Sequence, residues 1–282
     1  MDRLSDIGTI KEILSRHGFS FSKGLGQNFL INPSVCPRMA EMSGAGENVG
    51  VIEIGPGIGV LTTELCKLSS KVIAIEIDKR LIPVLDETLS DFDNVKVINE
   101  DIMKIDLKKL IEDEFQGMKV VVCANLPYYI TSPVIMRLLE ENLPIEAITV
   151  MVQKEAAQRM CAEIGTRQSG AVTVAVNFYS KPKVLFNVSA GSFIPAPKVD
   201  SAVIRLDVLK TPSVDVKDSK KFFRVVKAAF SQRRKTLPNS LSSGLGLPKS
   251  EVNNLLTECN LSLNLRAEQL KLEDFKNIAD KI

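Results

Sequence analysis

The sequence predicts an α/β fold with a doubly wound, mostly parallel sheet, followed by a small all-α domain. Short β-branched runs alternate with longer amphipathic segments over the first two thirds of the chain, which is typical of a parallel sheet with both faces covered. The last third of the chain is basic, and its apolar residues recur at the spacing of an amphipathic helix. The 282 residues are 45% hydrophobic and 25% charged, which indicates a globular protein and excludes disordered and fibrous classes.

Five apolar runs are the predicted strands of the main sheet, namely 49–54, 71–77, 95–99, 119–124 and 145–152. Runs 184–188 and 202–208 predict two further strands, which the proline-rich loop 192–198 would join into a terminal hairpin on the sheet. Segment 171–178, AVTVAVNF, has the β-propensity of a strand, but its length and the preceding Gly170 also fit a buried helix. The pattern alone leaves this segment open.

A linker is predicted at Thr211-Pro212-Ser213, where the composition changes. Beyond it, apolar residues recur at helical spacing in 222–230, 251–259 and 272–282. We therefore predict a first domain over residues 1–208 and a helical second domain over residues 209–282.

Charge is distributed unevenly along the chain. Residues 1–180 carry 18 basic and 24 acidic side chains, whereas residues 181–282 carry 18 and 10. A basic C-terminal part predicts contact with a polyanion, and a solvated basic surface is the alternative. The residues expected to contact phosphates are Arg224, Lys227, Arg233, Arg234 and Lys235.

Several classes of protein are excluded by what the sequence lacks. The longest charge-free stretch, 120–136, is interrupted by polar residues and prolines, and the N-terminal residues resemble neither a signal peptide nor a transit peptide. Five scattered cysteines without a C-x-x-C pair and a single histidine, His17, argue against a disulfide framework, a metal site and serine-hydrolase chemistry. We expect a cytoplasmic protein without a metal and without membrane association.

The strongest local motif is a glycine-rich turn between a predicted strand and a predicted helix. The run Gly55-Pro56-Gly57-Ile58-Gly59 lets the backbone approach a ligand at the start of the helix, as in nucleotide-binding folds. Glu76 ends the next strand, where a carboxylate can accept hydrogen bonds from both ribose hydroxyls. Val60 occupies the position of the third glycine of a dinucleotide fingerprint, which weakens an NAD interpretation and leaves S-adenosylmethionine as the other candidate.

Asp101 and Ile102 follow the third predicted strand, at the edge of the sheet where such folds bind ligands. The Asp101 carboxylate would accept a hydrogen bond from an adenine amine, and Ile102 would pack on the ring. Taken alone, an aspartate in this position is more often a helix cap.

The fourth predicted strand ends in Asn125-Leu126-Pro127-Tyr128, which points to chemistry on an exocyclic base amine. Such an amine is a poor nucleophile because its lone pair is delocalised into the ring. Hydrogen bonds from its two N–H groups to the Asn125 amide oxygen and the Leu126 carbonyl favour a pyramidal, more nucleophilic nitrogen. Pro127 stiffens the turn and Tyr128 offers a ring on which an extruded base can stack. In isolation the motif would be a proline turn after a strand.

Many ordered motifs together resemble the ribosomal RNA adenine dimethyltransferase family, in its bacterial small-subunit branch. The resemblance runs from about Lys23 to Phe275 and rests on Gly26-Gln27-Asn28-Phe29-Leu30, 53–62, Glu76, Asp101, Asn125-Leu126-Pro127-Tyr128-Tyr129, 193–201, 230–237 and 264–268. The erythromycin-resistance methyltransferases, which act on large-subunit rRNA, share the first and fifth of these motifs but are less similar after residue 200.

The resemblance implies a Rossmann-like methyltransferase fold and a reaction. Methyl groups would pass from S-adenosylmethionine to N6 of two adjacent adenines in the 3′-terminal hairpin of small-subunit rRNA, during biogenesis of the immature 30S subunit, with the enzyme acting as a monomer. The residues implied around the cofactor are Gln27, Asn28, Leu30, Gly55, Gly57, Gly59, Glu76, Ile77, Asp101, Ile102 and Asn125. Phe193 is similar to the aromatic residue that packs against the target base opposite Tyr128. The family pattern also makes 171–178 helical.

Two departures from the family pattern concern details of RNA contact. Ser169 replaces an aromatic residue, and Pro238 stands where an arginine often follows the basic run. The alternatives to the implied function are a large-subunit methyltransferase, a nicotinamide oxidoreductase and a non-enzymatic ribosome-assembly factor.

Overall fold

The structure, a computed structural model, describes residues 4–19, 28–232 and 234–282. The chain divides into two compact units. One contains residues 1–157 and 183–208, and the other contains residues 158–182 and 209–282. Gln27 and Arg233, predicted to contact the cofactor and RNA respectively, lie outside the described residues.

The first unit is built on a seven-stranded sheet within the described residues. Its strands are β2 (Val49–Ile54), β3 (Lys71–Glu76), β4 (Val95–Asn99), β5 (Lys119–Asn125), β6 (Ala147–Gln153), β7 (Ser180–Val188) and β9 (Ser201–Val208). Two short strands, β1 (Phe29–Leu30) and β8 (Phe193–Ile194), pair with each other in a separate ribbon. The helices are α1 (Ile7–Arg16), α2 (Val35–Met42), α3 (Val60–Leu68), α4 (Ile82–Thr88), α5 (Leu107–Glu114), α6 (Tyr128–Glu140) and α7 (Lys154–Met160).

The strand order is β4-β3-β2-β5-β6-β9-β7. The first five strands are parallel, and β9 is antiparallel to β6. Because the chain proceeds from β2 towards β3 on one side and resumes at β5 on the other, the order reverses between β2 and β5. Ligands of such sheets bind in the crevice at the carboxyl ends of the strands, at the point of reversal.

The local sequence explains these elements. Residues 51–54 of β2 and 72–76 of β3 are buried on both faces, as expected for β-branched strands covered by helices on each side. Aspartate side chains cap the first turns of α1 and α5, where Asp6 accepts from the Thr9 N–H at 3.0 Å and Asp106 accepts from the Lys109 N–H at 3.0 Å.

The second unit is helical and has its own apolar core. Its helices are α8 (Ala171–Tyr179), α9 (Ser219–Ala229), α10 (Leu237–Leu245), α11 (Lys249–Glu258) and α12 (Leu272–Lys281). Phe178 of α8 stacks on Phe222 of α9 with ring centroids 4.8 Å apart, and both are fully buried. None of the helices in the described part of the chain is long and apolar enough to cross a lipid bilayer.

The predicted fold class is confirmed, including the strand–helix alternation and the helical C-terminal part. Segment 171–178 is helical, and β7 and β9 are neighbours at the edge of the sheet, as the hairpin interpretation expects. The predicted boundary between a first domain, residues 1–208, and a second domain, residues 209–282, stays a prediction. The structure groups residues 158–182 with the C-terminal helices, because Val174 and Phe178 belong to their core.

Gly244 of α10 allows close approach to α9, since a Cβ atom there would lie 2.6 Å from the Ala228 Cα. We expect Gly244→Ala to lower the free energy of unfolding by about 1–3 kcal/mol through overpacking, measured by urea titration. Gly46→Ala is the control, since its Cβ would meet nothing within 4 Å. Equal stability of the two variants would contradict this packing argument.

Candidate active site

A deep cleft lies in the first unit at the carboxyl ends of the parallel strands. Its lining comes from the turn after β2, the ends of β3 and β5, the residues after β4, and the ribbon of β1 and β8. The cleft is open to solvent on one side and is lined by apolar side chains together with a few polar groups, which is typical of a small-molecule site. This position is the crevice at the reversal between β2 and β5.

The glycine-rich turn forms the floor of the cleft. Gly55 and Gly57 line it and have φ angles of 70° and 61°, a conformation that a side chain rarely adopts. Gly59, at φ 89°, begins α3, and a Cβ there would lie 3.1 Å from both Thr88 and Leu89. Gly59 is not among the described residues that line the cleft, so packing against the α4 region explains its identity.

The β1–β8 ribbon covers one side of the cleft. Phe29 pairs with Ile194 and Leu30 with Phe193, and the Ile31 N–H donates to the Ser192 carbonyl at 2.8 Å. Asn28, Leu30 and Phe193 thereby reach the lining. The ribbon explains how an N-terminal motif and a motif that begins at Phe193, much later in the chain, contribute to the same site.

Glu76 ends β3 and is only 5% exposed. Its Oε1 accepts from the Asp78 N–H at 2.8 Å. Burial raises the pKa of the Glu76 carboxyl to about 7, although hydrogen bonds from the Asp78 and Gly57 backbones oppose the increase. The carboxylate is held at the cleft wall, where it can accept hydrogen bonds from ligand hydroxyls.

Glu53 of β2 is a second buried acid in the lining, with 1% exposure. Burial raises the pKa of its carboxyl to about 8, and the negative charge of Glu76 adds to the increase. Within the described residues its Oε2 has no hydrogen-bond partner. A buried carboxylate without a partner is costly, so the fold holds Glu53 in its neutral, protonated form below about pH 8.

The charge of the cleft is therefore one-sided. Carboxyl groups line it at Glu53, Glu76, Glu100 and Asp101, whereas none of the described lining residues is lysine, arginine or histidine. The described lining therefore offers no side-chain cation to a pyrophosphate.

A tight turn after β4 carries the predicted adenine contacts. The Asp101 Oδ1 accepts from the Met103 N–H at 2.9 Å, so this aspartate stabilises the turn and also lines the cleft. It is not a helix cap, because Asp106 caps the following helix, α5. Ile102 is buried beside it.

Arg137 of α6 fixes this turn, although it is not one of the predicted site residues. Its guanidinium donates to the Ile102 carbonyl and, at 2.7 Å, to the Ile105 carbonyl. Its Nε donates to Glu141 at 2.5 Å. The signal was present in the sequence, because Arg137 is the only charged residue between Tyr128 and Leu139. A lone arginine in an apolar helix indicates buried acceptors.

Asn125 is the last residue of β5, beside Met151 of β6. Its side-chain amide has no hydrogen-bond partner among the described residues, and it lines the cleft. Pro127, at φ −54°, turns the chain into α6, and its carbonyl accepts from the buried Thr131 hydroxyl at 3.0 Å. The motif thus presents a free amide oxygen on a rigid turn.

Tyr128 begins α6 and its hydroxyl hydrogen-bonds the buried Ser201 Oγ at 2.7 Å. This contact orients the ring, which lines the cleft together with Phe193. Ser201 belongs to one of the family motifs, but its role in holding Tyr128 appears only in three dimensions.

The structure brings most of the predicted site residues into this one cleft. Those are Asn28, Leu30, Gly55, Gly57, Glu76, Ile77, Asp101, Ile102, Asn125, Leu126, Pro127, Tyr128 and Phe193. Their roles toward ligands stay predictions. His17 lies elsewhere, with its Nε2 2.6 Å from Glu87 Oε2. No group of side chains suited to a metal ion occurs in the part of the chain that the structure describes.

The predicted RNA-binding residues belong to the second unit. Arg224, Lys227, Arg234 and Lys235 are all exposed, and one Arg224 nitrogen also donates to the Leu245 carbonyl at 3.3 Å at the end of α10. Pro238 is buried in the first turn of α10, where a missing N–H costs little. Ser169 is buried and its Oγ lacks a partner among the described residues, and nothing in the structure explains its identity.

The sheet order, the glycine turn and the acidic cleft define a Rossmann-like methyltransferase. Sequence comparison identifies the group: the family model "Ribosomal RNA adenine dimethylase" matches residues 18–282, and the chain belongs to this family. The chain is therefore an rRNA methyltransferase.

Relatives of similar length share about half of their residues with this chain. It is 49% identical over 283 residues to "Ribosomal RNA small subunit methyltransferase A" of Alkaliphilus oremlandii, covering 100% of this chain and 99% of that one. The protein of the same name from Bacillus licheniformis is 49% identical over 276 residues, covering 96% and 94%.

Two solved structures resemble the fold. A dimethyladenosine transferase from Plasmodium falciparum gives a TM-score of 0.73 at 26% identity, covering 89% of this chain and 95% of that one. The 23S rRNA methyltransferase ErmE gives a TM-score of 0.67 at 26% identity, covering 90% and 98%.

Glu53 makes stability depend on pH. A carboxyl whose pKa rises from 4.5 to about 8 on folding binds its proton more tightly in the folded chain, so the free energy of unfolding falls as pH rises through this range. We expect the stability advantage of Glu53→Gln over the wild type to grow from pH 5 to pH 8, measured by urea titration.

The control is Glu47→Gln, which changes an exposed carboxyl. A stability difference for Glu53→Gln that stays constant across this pH range would show that Glu53 titrates normally.

Proposed function

We propose that this protein transfers methyl groups from S-adenosylmethionine to N6 of two adjacent adenines in the 3′-terminal hairpin of small-subunit rRNA, giving N6,N6-dimethyladenosine at each. The observation that carries the proposal is the Asn125-Leu126-Pro127-Tyr128 turn, which opens into an acidic cleft at the sheet reversal. The small-subunit target is supported by the names of the relatives that match over the whole chain.

The cleft fits S-adenosylmethionine better than a nicotinamide dinucleotide. Gly55 and Gly57 bring backbone without side chains to the cleft lining. The described lining has carboxyl groups and no cationic side chain, which suits a ligand with a sulfonium and an ammonium charge better than one with phosphates. Glu76 would accept from the ribose hydroxyls, and the Asp101–Ile102 turn would hold the adenine ring. When bound, S-adenosylmethionine supplies an electrophilic methyl group on a sulfonium. A pyrophosphate would find no cation among the described lining residues, which argues against the oxidoreductase alternative.

The target adenine would be held by the residues at the start of α6. Asn125 Oδ1 and the Leu126 carbonyl accept hydrogen bonds from the two N6 hydrogens, which turns the nitrogen lone pair towards the donor. Tyr128, oriented by Ser201, stacks on one face of the base and Phe193 packs on the other. Catalysis then depends on positioning and on fixed acceptors, with no side chain acting as a general base before attack. Each transfer would leave S-adenosylhomocysteine and one proton from N6, which is lost to solvent, and in the second transfer the single remaining N6 hydrogen would use one of the two acceptors. His17, paired with Glu87, is not needed.

Recognition of the wider RNA is assigned to the second unit. The exposed Lys227, Arg234 and Lys235 would contact phosphates, so affinity should fall as salt rises. The partner is the immature 30S subunit, where the enzyme would act as a monomer in the cytoplasm. A role in subunit assembly is compatible with this chemistry. Testing a catalytically inactive variant for maturation of the small subunit separates the assembly role from methylation.

The test is incubation of the purified protein with labelled S-adenosylmethionine and small ribosomal subunits that lack adenine dimethylation. Digestion and mass analysis should show N6,N6-dimethyladenosine in the 3′-terminal rRNA fragment. Label on large-subunit RNA alone would reassign the protein to the resistance branch. Label on neither would contradict an enzymatic role on these substrates.

Asn125→Ala removes one of the two fixed acceptors while leaving the cleft wall intact. By analogy with loss of one preorganised group in other active sites, we expect kcat to fall about 100- to 1000-fold, with thermal stability and RNA affinity largely unchanged. Single-turnover methylation of small subunits measures the rate, and equilibrium binding to small subunits at fixed salt measures RNA affinity. Near-normal turnover would contradict the assigned mechanism.

Arg137→Gln removes the charged donor that fixes the Ile102 and Ile105 carbonyls. Because the turn would loosen, we expect the Kd for S-adenosylhomocysteine to rise about tenfold, the loss expected for one charge-assisted hydrogen bond. Arg137→Lys should recover part of the affinity. Lys108→Gln, which alters an exposed cation on α5, is the matched control. An unchanged Kd for Arg137→Gln would show that the turn after β4 keeps its conformation without the Arg137 hydrogen bonds.

A further inference from the structure

Tyr129 is an exposed aromatic residue at the mouth of the cleft. It is 63% exposed and belongs to the cleft lining, one residue after Tyr128 in the first turn of α6. The chain contains three tyrosines and no tryptophan. The other two have partners, since Tyr128 is hydrogen-bonded to Ser201 and Tyr179 stacks on Phe223 with ring centroids 5.6 Å apart.

The helix geometry separates the roles of the two adjacent rings. Successive side chains of an α-helix point about 100° apart. Tyr128 is held in the cleft by Ser201, so Tyr129 is turned towards the mouth. Within the described residues Tyr129 has neither a hydrogen bond nor a ring contact. A large ring in water beside a base-binding cleft has no structural purpose visible in this chain.

Extruding the target base leaves its neighbour in the RNA without a stacking partner. An exposed ring next to the pocket can replace that partner, and base–aromatic stacking is strong and tolerant of sequence. We propose that Tyr129 is the stacking platform for the nucleotide next to the target adenine, a binding site for a flanking RNA base. The inference rests on the proposed function, because it places the target base against Tyr128.

Continuity with the target pocket favours an RNA base as the occupant over a protein side chain. Tyr129 and Tyr128 line one cleft, and consecutive nucleotides of a single strand would reach both rings. Loss of the phenol hydroxyl should change RNA affinity little, because stacking uses the face of the ring. Loss of the ring itself should lower RNA affinity.

The test compares wild type, Tyr129→Ala, Tyr129→Phe and Tyr129→Leu in binding to an RNA hairpin at low salt. The hairpin loop carries one adenine between two guanines, and two further hairpins replace either the 5′ or the 3′ guanine by an abasic nucleotide. On the intact hairpin we expect Tyr129→Ala to raise the Kd about 5- to 150-fold, Tyr129→Leu to be similarly weak, and Tyr129→Phe to match wild type.

On one of the two abasic hairpins, wild type and Tyr129→Ala should bind equally, which also identifies the contacted side. On small subunits, Tyr129→Ala should raise KM with kcat and the Kd for S-adenosylhomocysteine unchanged. Three results would overturn the inference. Tyr129→Ala could raise the Kd on both abasic hairpins as much as on the intact one, or it could leave the Kd for the intact hairpin unchanged. Tyr129→Leu could also bind the intact hairpin as tightly as wild type.

These outcomes are distinguishable from failure of the proposed function. Suppose that wild type makes N6,N6-dimethyladenosine on small subunits, but Tyr129→Ala raises the Kd equally on the intact and both abasic hairpins. In that case only the stacking platform is rejected. If wild type makes no such product, the proposed function itself is rejected.

Discussion

The position of β2, between β3 and β5 in the parallel sheet, determines where the parts of the cleft lie. Because both neighbours run parallel to β2, the glycine turn, Glu76 and Asn125 all emerge at one edge of the sheet. The β1–β8 ribbon then covers the side of this crevice with residues from two distant motifs. Neither the sheet edge nor the ribbon alone would make a site that excludes water.

The acids of the cleft are distinguished by their burial. Two of them, Glu53 and Glu76, are buried enough that the pKa of each carboxyl lies near or above neutrality. Burying a carboxylate costs stability, and acids with raised pKa values cluster at functional sites. With no cationic side chain in the described lining, the cleft suits the proposed cofactor better than a dinucleotide.

Much of the fold follows from the sequence because hydrophobic periodicity and glycine turns are local signals. The parallel strands, the helical second part and the cleft residues around Asn125 are of this kind. Segment 171–178 was ambiguous because a short apolar run satisfies both a strand and a buried helix, and its packing against Phe222 decides the outcome. Arg137 and Ser201 act through contacts with residues 32 or more positions away. The pattern of α6 indicates that Arg137 needs buried acceptors, but a single sequence does not show which carbonyls accept, and it gives no signal for the partner of Ser201. Gly59 belongs to a motif that predicts cofactor contact, but its identity is explained by packing, because a Cβ atom there would lie close to Thr88 and Leu89.

The most direct test of the account is a crystal structure of the protein with S-adenosylhomocysteine and a short RNA that contains the target adenine. The account predicts the adenine between Tyr128 and Phe193, with N6 within hydrogen-bond distance of Asn125 Oδ1 and the Leu126 carbonyl, and the cofactor ribose on Glu76. An adenine bound elsewhere, or an N6 directed away from Asn125, would contradict it.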